Sequence, residues 1–251
     1  MAISGLIGLS GDGKAIAPSA STGFDCLACG PERLAGRNYC GACGNILRAR
    51  CERKQVTVLF VDVSGFTALS ERLDSEQVSE IMRRTFDIVL DAVHEHAGTV
   101  NQFLGDGVMA LFSDAAGGHH ACRALETALA VQERLETVRY QMRRSYGLAF
   151  RVRMGINTGP VVIGTIGTIG AALRTDYTAT GHTVATALGL LQIAEPGQIV
   201  LTDHTRAAAA DRYDLVEVGA MPLTESLETV VVYEVTGAKT AYADDASLVA
   251  A

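Results

Sequence analysis

An α+β domain with the element order β, α, β, β, α, β is predicted by three features of this 251-residue chain. Short runs of β-branched and aromatic residues recur between Gly-containing turns, and two stretches carry apolar residues at helical spacing. One pair of runs is joined by a turn so short that it must be a hairpin. Strands and helices in this order form the ferredoxin-like arrangement.

After a charged linker from Cys51 to Lys54, the run Val56 to Val63 reads as a buried strand. Val78, Ile81, Met82, Phe86, Val89, Leu90 and Val93 then mark a helix that Asp74 or Ser75 would cap and Ala97-Gly98 would end. Val100 to Leu104 and Val108 to Phe112 flank Gly105-Asp106-Gly107, a hairpin with an acid at its tip. A second amphipathic helix follows through Ala121, Leu125, Ala128, Val131, Leu135 and Val138, with Cys122 on its apolar face. Phe150 to Ile156 and Val161 to Ile163 read as further strands. A helix around Thr183 to Ala194, a strand at Ile199 to Thr202 and a last strand at Val230 to Val235 complete the domain.

The composition, 48% hydrophobic and 20% charged, is that of a chain able to bury a core in one or two domains. A net charge of −7 argues against a sequence-independent nucleic-acid surface. No segment reads as a secretion signal or as an apolar run of about 18 residues or more, so a cytoplasmic protein without a membrane span is expected.

In a reducing compartment six cysteines do not read as disulfides. Cys26 and Cys29, with Gly30 directly after Cys29, and Cys40 and Cys43, with Gly44 directly after Cys43, form two CxxCG turns. Four thiolates on such turns can close a tetrahedron around one structural Zn²⁺, so residues 25–50 are expected to be a small zinc ribbon. Cys51 is left over. The segment from Gly8 to Lys14 matches a phosphate-binding loop, but Ala15 stands where a metal-holding Ser or Thr is needed, so residues 1–24 read as a flexible tail. Residues 238–251 read as a second tail.

Asp62 and Asp106 each stand where an apolar strand meets a Gly-containing turn. A strand end has no packing use for an acid, whereas two acids from adjacent strands could hold divalent metal at a phosphate site.

The segments VTVLFVDVSGFTALSERLD, GTVNQFLGDGVMALF, FRVRMGINTGPVVIGTIG and DYTATGHTVATALGLLQIAEPGQIVL resemble, in order, the blocks of the class III adenylyl/guanylyl cyclase catalytic domain, across residues 55–237. The resemblance implies a domain that forms a 3′,5′-cyclic nucleotide and pyrophosphate from a nucleoside triphosphate, with ATP to cAMP as the leading reading. It implies two Mg²⁺ or Mn²⁺ ions bridged by Asp62 and Asp106, with the Val63 carbonyl as a further ligand. By the same resemblance Gly65, Phe66, Thr67 and Arg153 contact the triphosphate, and Gln102 and Thr178 take the two base-reading positions.

The metal and phosphate half of the site is thereby present, while the other half departs from the family. The Asn and Arg that serve ribose and transition state there align with Ala185 and Gly189, neither of which has a hydrogen-bonding side chain. Arg174, His182 and Thr183 stand nearby as candidate substitutes, although ordinary exposed loop residues are the favoured reading of all three. Such sites form between two domains, so a weak homodimer, the metal-bearing half of a heterodimer, and a nucleotide-binding regulatory homologue all stay open. For a self-pairing chain, restoring Ala185→Asn and Gly189→Arg together is expected to raise turnover.

Overall fold

The computed structural model describes residues 24–26, 29–32, 42–43, 48–49, 52–114, 119–166, 176–209, 211–223 and 229–239. Two compact units divide the chain, Met1–Arg50 and Cys51–Ala251.

The first unit holds three short antiparallel strands, β1 (Phe24–Cys26), β2 (Gly30–Glu32) and β3 (Arg48–Ala49), in the order β2-β1-β3. Cys26 ends β1 opposite Gly30, and Cys29 and Cys43 stand exposed on turns. Cys40, Cys51 and the segment Gly8 to Lys14 lie outside the described residues, so the four-cysteine cage is not described as a set.

The second unit starts with β4 (Glu52–Ser64), followed by α1 (Phe66–Arg72), α2 (Ser75–Glu95), β5 (Thr99–Leu104), β6 (Gly107–Ser113), α3 (His120–Tyr146) and β7 (Arg151–Ile166). Then come β8 (Asp176–Thr180), α4 (His182–Ile193), β9 (Ile199–Thr202), α5 (Asp203–Ala208), β10 (Tyr213–Pro222) and β11 (Thr229–Ala238). The sheet runs β10-β11-β9-β7-β4-β6-β5, with β8 paired to β7. Its segment β7-β4-β6-β5 is antiparallel throughout and has the ferredoxin-like strand order. The pairing of β7 with β9 is parallel.

β4 is central, and its apolar run is continuous because both faces of the sheet are covered. Leu59, Val61 and Val63 enter the core formed with α2 and α3, while Val56, Val58 and Phe60 enter a second core that includes Ala187 and Leu191 of α4. Full burial of such side chains contributes about 1.5–3 kcal/mol each. An acid two residues from the end of this strand is therefore out of keeping with packing alone.

α2 begins where expected. The Asp74 carboxylate accepts the Gln77 backbone N–H at 2.8 Å, and the Gln77 side chain accepts the Asp74 N–H at 3.4 Å, a reciprocal capping box. The helix stops at Glu95, just before Ala97 turns to positive φ (52°).

Four details differ from the sequence expectation. The stretch read as a charged linker belongs to β4 from Glu52 onward, because β7 is long enough to pair with it from Ile163. The two runs read as separate strands are one strand, β7, through Pro160, whose missing N–H does not prevent its carbonyl from accepting Thr183 Oγ1 at 2.7 Å. β8, α5 and β10 were not expected from periodicity. Ala238 is still in β11, and the Lys239 N–H is bonded to the Arg212 carbonyl at 3.0 Å, so the second tail starts later than residue 238. Among the described residues, no helix is long and apolar enough to cross a membrane.

Candidate functional site

Asp62 lies on β4 with Gly107 of β6 opposite it on one side and Arg153 of β7 on the other. Three strands therefore aim their chemistry at one place. Arg153 donates its Nε to Asp62 Oδ2 at 2.9 Å, a half-buried ion pair formed across the ladder. Asp106 reaches the same place from the two-residue turn between β5 and β6.

Gly107 allows this approach. A Cβ there would stand 2.9 Å from the Val61 carbonyl oxygen and 3.5 Å from Asp62 Oδ1, so any side chain would push the hairpin tip away from the strand that carries Asp62. The electrostatics record the result. Burial raises the Asp106 carboxyl above the usual aspartate range, its own backbone hydrogen bond opposes that, the Asp62 charge raises it further, and Arg153 lowers it.

These groups line a cleft of 380 Å³, together with the 63–67 segment and Pro196 on its rim. The structure thus brings together Asp62, Val63, Gly65, Phe66, Thr67, Asp106 and Arg153. Gly65 is the N-cap of α1, which has 7 residues. So short a helix has little macrodipole, and any anion held there would be held by individual N–H groups.

Gln102 is not among the described residues that line that cleft. Gln102 is exposed on β5 opposite Met109, and Thr178 is on β8 opposite Gly164. β5 and β8 touch, which puts the two positions on contacting strands.

The α4 positions behave differently from one another. Ala185 is exposed, whereas Gly189 is buried. A Cβ on Gly189 would lie 2.3 Å from the Leu223 carbonyl oxygen and 3.0 Å from Leu223 Cβ. The expectation that Gly189→Arg could simply restore a missing group is therefore corrected: the backbone after β10 occupies the space. Of the suggested substitutes, Thr183 is buried, donates to the Pro160 carbonyl and uses its own carbonyl to accept Asn157 Nδ2 at 3.0 Å, so it serves packing. His182 is exposed at the start of α4, with Nε2 at 3.3 Å from Thr186 Oγ1, and Arg174 lies outside the described residues.

Sequence reasoning missed the Asp62–Arg153 pair and the rim residue Pro196. Nothing local signals either; 91 positions separate the ion-pair partners. Pro196 also borders a second, mostly apolar cleft of 450 Å³ with Leu69, Leu148, Ala149 and Phe150. Cys122 is core as expected: its thiol is buried against the Ala209 carbonyl at 3.6 Å and pushed up by that burial.

The family model described as "Adenylate and Guanylate cyclase catalytic domain" matches residues 50–237. Adenylate cyclase 1 of Rhizobium meliloti (strain 1021) is 41% identical over 139 residues, covering 54% of this chain and 20% of that protein. Among solved structures, the adenylyl cyclase CyaB from P. aeruginosa superposes with a TM-score of 0.70 at 29% identity, over 76% of this chain and 98% of that one. The guanylyl cyclase Cya2 does so with a TM-score of 0.67 at 31% identity, over 76% of this chain and 96% of that one. The chain spans well under a third of the length of the curated relatives it matches. With a converging pair of strand-end acids, the ferredoxin-like strand order and a family match over most of its length, the chain belongs to the adenylate and guanylate cyclase catalytic domain family.

Proposed function

We propose that this domain converts a nucleoside triphosphate into a 3′,5′-cyclic nucleotide and pyrophosphate, with ATP to cAMP as the leading reading. The observation that carries it is the convergence of Asp62, Asp106 and Arg153 in one cleft beside the 63–67 segment.

The residues fit a divalent-ion site. Two carboxylates share the cleft closely enough for one to raise the other, a repulsion that a bound cation relieves, and a guanidinium already pairs with one of them. Asp62, Asp106 and the Val63 carbonyl would hold Mg²⁺ or Mn²⁺. Bound there, the ions supply an acidified ribose 3′-hydroxyl and neutralise charge on the α-phosphate. Arg153 and the N–H groups of 65–67 would bind the outer phosphates and keep the leaving pyrophosphate in line. Gln102 and Thr178 would meet the edge of the base; each side chain both donates and accepts, so neither selects adenine by charge.

Ala185 supplies only a methyl, and Gly189 is sealed by Leu223. Loss of one transition-state donor typically costs about 2.7–4 kcal/mol, or about a hundred- to a thousandfold in rate. That observation favours a second reading, in which the chain is the metal-bearing half of a heterodimer or a nucleotide-binding regulatory homologue.

Incubation with mixed ATP, GTP, CTP and UTP, followed by mass spectrometry of the products, with and without a second cyclase domain, separates these readings. Product from the chain alone supports a homodimer, and product only with the second domain supports a heterodimer. Triphosphate binding without product under either condition leaves the regulatory reading.

The amino-terminal cysteines Cys26, Cys29, Cys40 and Cys43 are proposed to hold one structural Zn²⁺ through thiolates. Thiolate chemistry and nucleoside triphosphates are both at home in the cytoplasm, where we place the protein.

A further inference from the structure

We propose that Arg153 holds the place of the metal in the nucleotide-free domain: it pairs with Asp62 until a divalent ion takes that carboxylate, then turns to the triphosphate, so that metal and nucleotide favour each other's binding. The proposal rests on the metal-site reading above and concerns the order and coupling of binding.

Three observations carry it. Asp62 Oδ2, an oxygen that a bound ion would need, accepts Arg153 Nε at 2.9 Å. The fold keeps the two residues within reach of each other, since positions 62 and 153 face each other across the β4–β7 ladder. Among the described residues lining the cleft, Arg153 is the one cation facing two carboxylates, Asp62 and Asp106.

An ion that takes Asp62 Oδ2 must displace the guanidinium from it. Coordination of Mg²⁺ requires an oxygen at about 2.0–2.1 Å, and an ion there would sit against a positive charge that repels it. Arg153 therefore opposes the ion when no phosphate is present. Its side chain is 33% exposed against 16% for Asp62, so the arginine is the partner with room to leave. The open cleft beside it leads to the 63–67 segment, where phosphate oxygens would accept its donors. Once it has moved, the same charge that opposed the ion binds the ligand that arrives with it, which is a positive coupling between the two sites.

The test is Mn²⁺ binding to the nucleotide-free full chain, read by electron paramagnetic resonance of free Mn²⁺, beside binding of α,β-methylene-ATP at saturating Mn²⁺. Arg153→Ala should tighten Mn²⁺ about tenfold, the equivalent of one partly screened charge, and should weaken the analogue. Arg153→Lys keeps the charge and should leave Mn²⁺ affinity near that of the parent. If Arg153→Ala does not fold, Arg153→Gln gives the same readout, since it too removes the charge. Unchanged or weaker Mn²⁺ binding in the neutral variants of a chain that does bind Mn²⁺ overturns the place-holding role alone. No Mn²⁺ binding by parent or variants overturns it together with the metal site beneath it.

Discussion

Replacing Gly189 by Ala is the sharpest test of the packing at α4, because ordinary helix behaviour and this structure give opposite signs. In a helix interior Ala is favoured over Gly by about 1 kcal/mol. Here the added methyl would lie 2.3 Å from the Leu223 carbonyl oxygen, 3.0 Å from its Cβ and 3.1 Å from its carbonyl carbon. Backbone cannot rotate away as a side-chain tip can, so the cost belongs near the top of the roughly 1–3 kcal/mol range for overpacking. The net expectation is a loss of about 1–2 kcal/mol, which is a fall of roughly 2–8 °C in Tm for a domain of this size. Urea unfolding of the parent and Gly189→Ala, followed by circular dichroism, measures it. Ala185→Gly on the exposed face of the same helix should cost about 1 kcal/mol and calibrates the propensity contribution. Stabilisation by Gly189→Ala would refute the seal. It would also reopen the simple restoration of Ala185→Asn with Gly189→Arg, which should otherwise leave turnover unimproved because the arginine has to displace the chain at Leu223.

Asp62→Asn and Asp106→Asn should each abolish Mn²⁺-dependent triphosphate binding while the circular dichroism spectrum stays unchanged; retained affinity in both variants would sink the site. Since burial and Asp62 raise the Asp106 carboxyl, its ionised form is disfavoured in the fold, so its contribution to stability is fully present below the ordinary aspartate range and lost as pH rises through the raised value. Asp106→Asn should therefore melt higher than the metal-free parent at neutral pH, and the gap should close on acidification. Elemental analysis should find about one zinc per chain, falling in Cys40→Ser, as a single four-thiolate site requires; a metal-free parent would rule the ribbon out. The chain alone should turn over well below 1 per second, against about 10 per second for a typical enzyme, because two transition-state donors are missing. A partner domain that carries the Asn and Arg should restore at least a hundredfold.

What was legible in the sequence follows from the range of the forces involved. The β4 run, the α2 stripe with its Asp74 cap and the Gly105-Asp106 turn are written in neighbouring residues, since burial periodicity, capping and turn chemistry act over a few positions. The positions of both candidate metal acids were visible for the same reason. β10 was not: its Val216 and Val218 are exposed, it contains Gly219 and Pro222, and pairing with β11 holds it in place.

The sequence by itself determined the order of elements in the βαββαβ core and the strand-end positions of Asp62 and Asp106. It also determined that positions 185 and 189 carry no hydrogen-bonding side chain. Only the tertiary structure decided that Arg153 pairs with Asp62 and that Gly189 has no room for a side chain. Both depend on contacts between distant segments, β4 against β7 and α4 against Leu223, and such contacts are set by sheet register and helix packing, which no local pattern encodes.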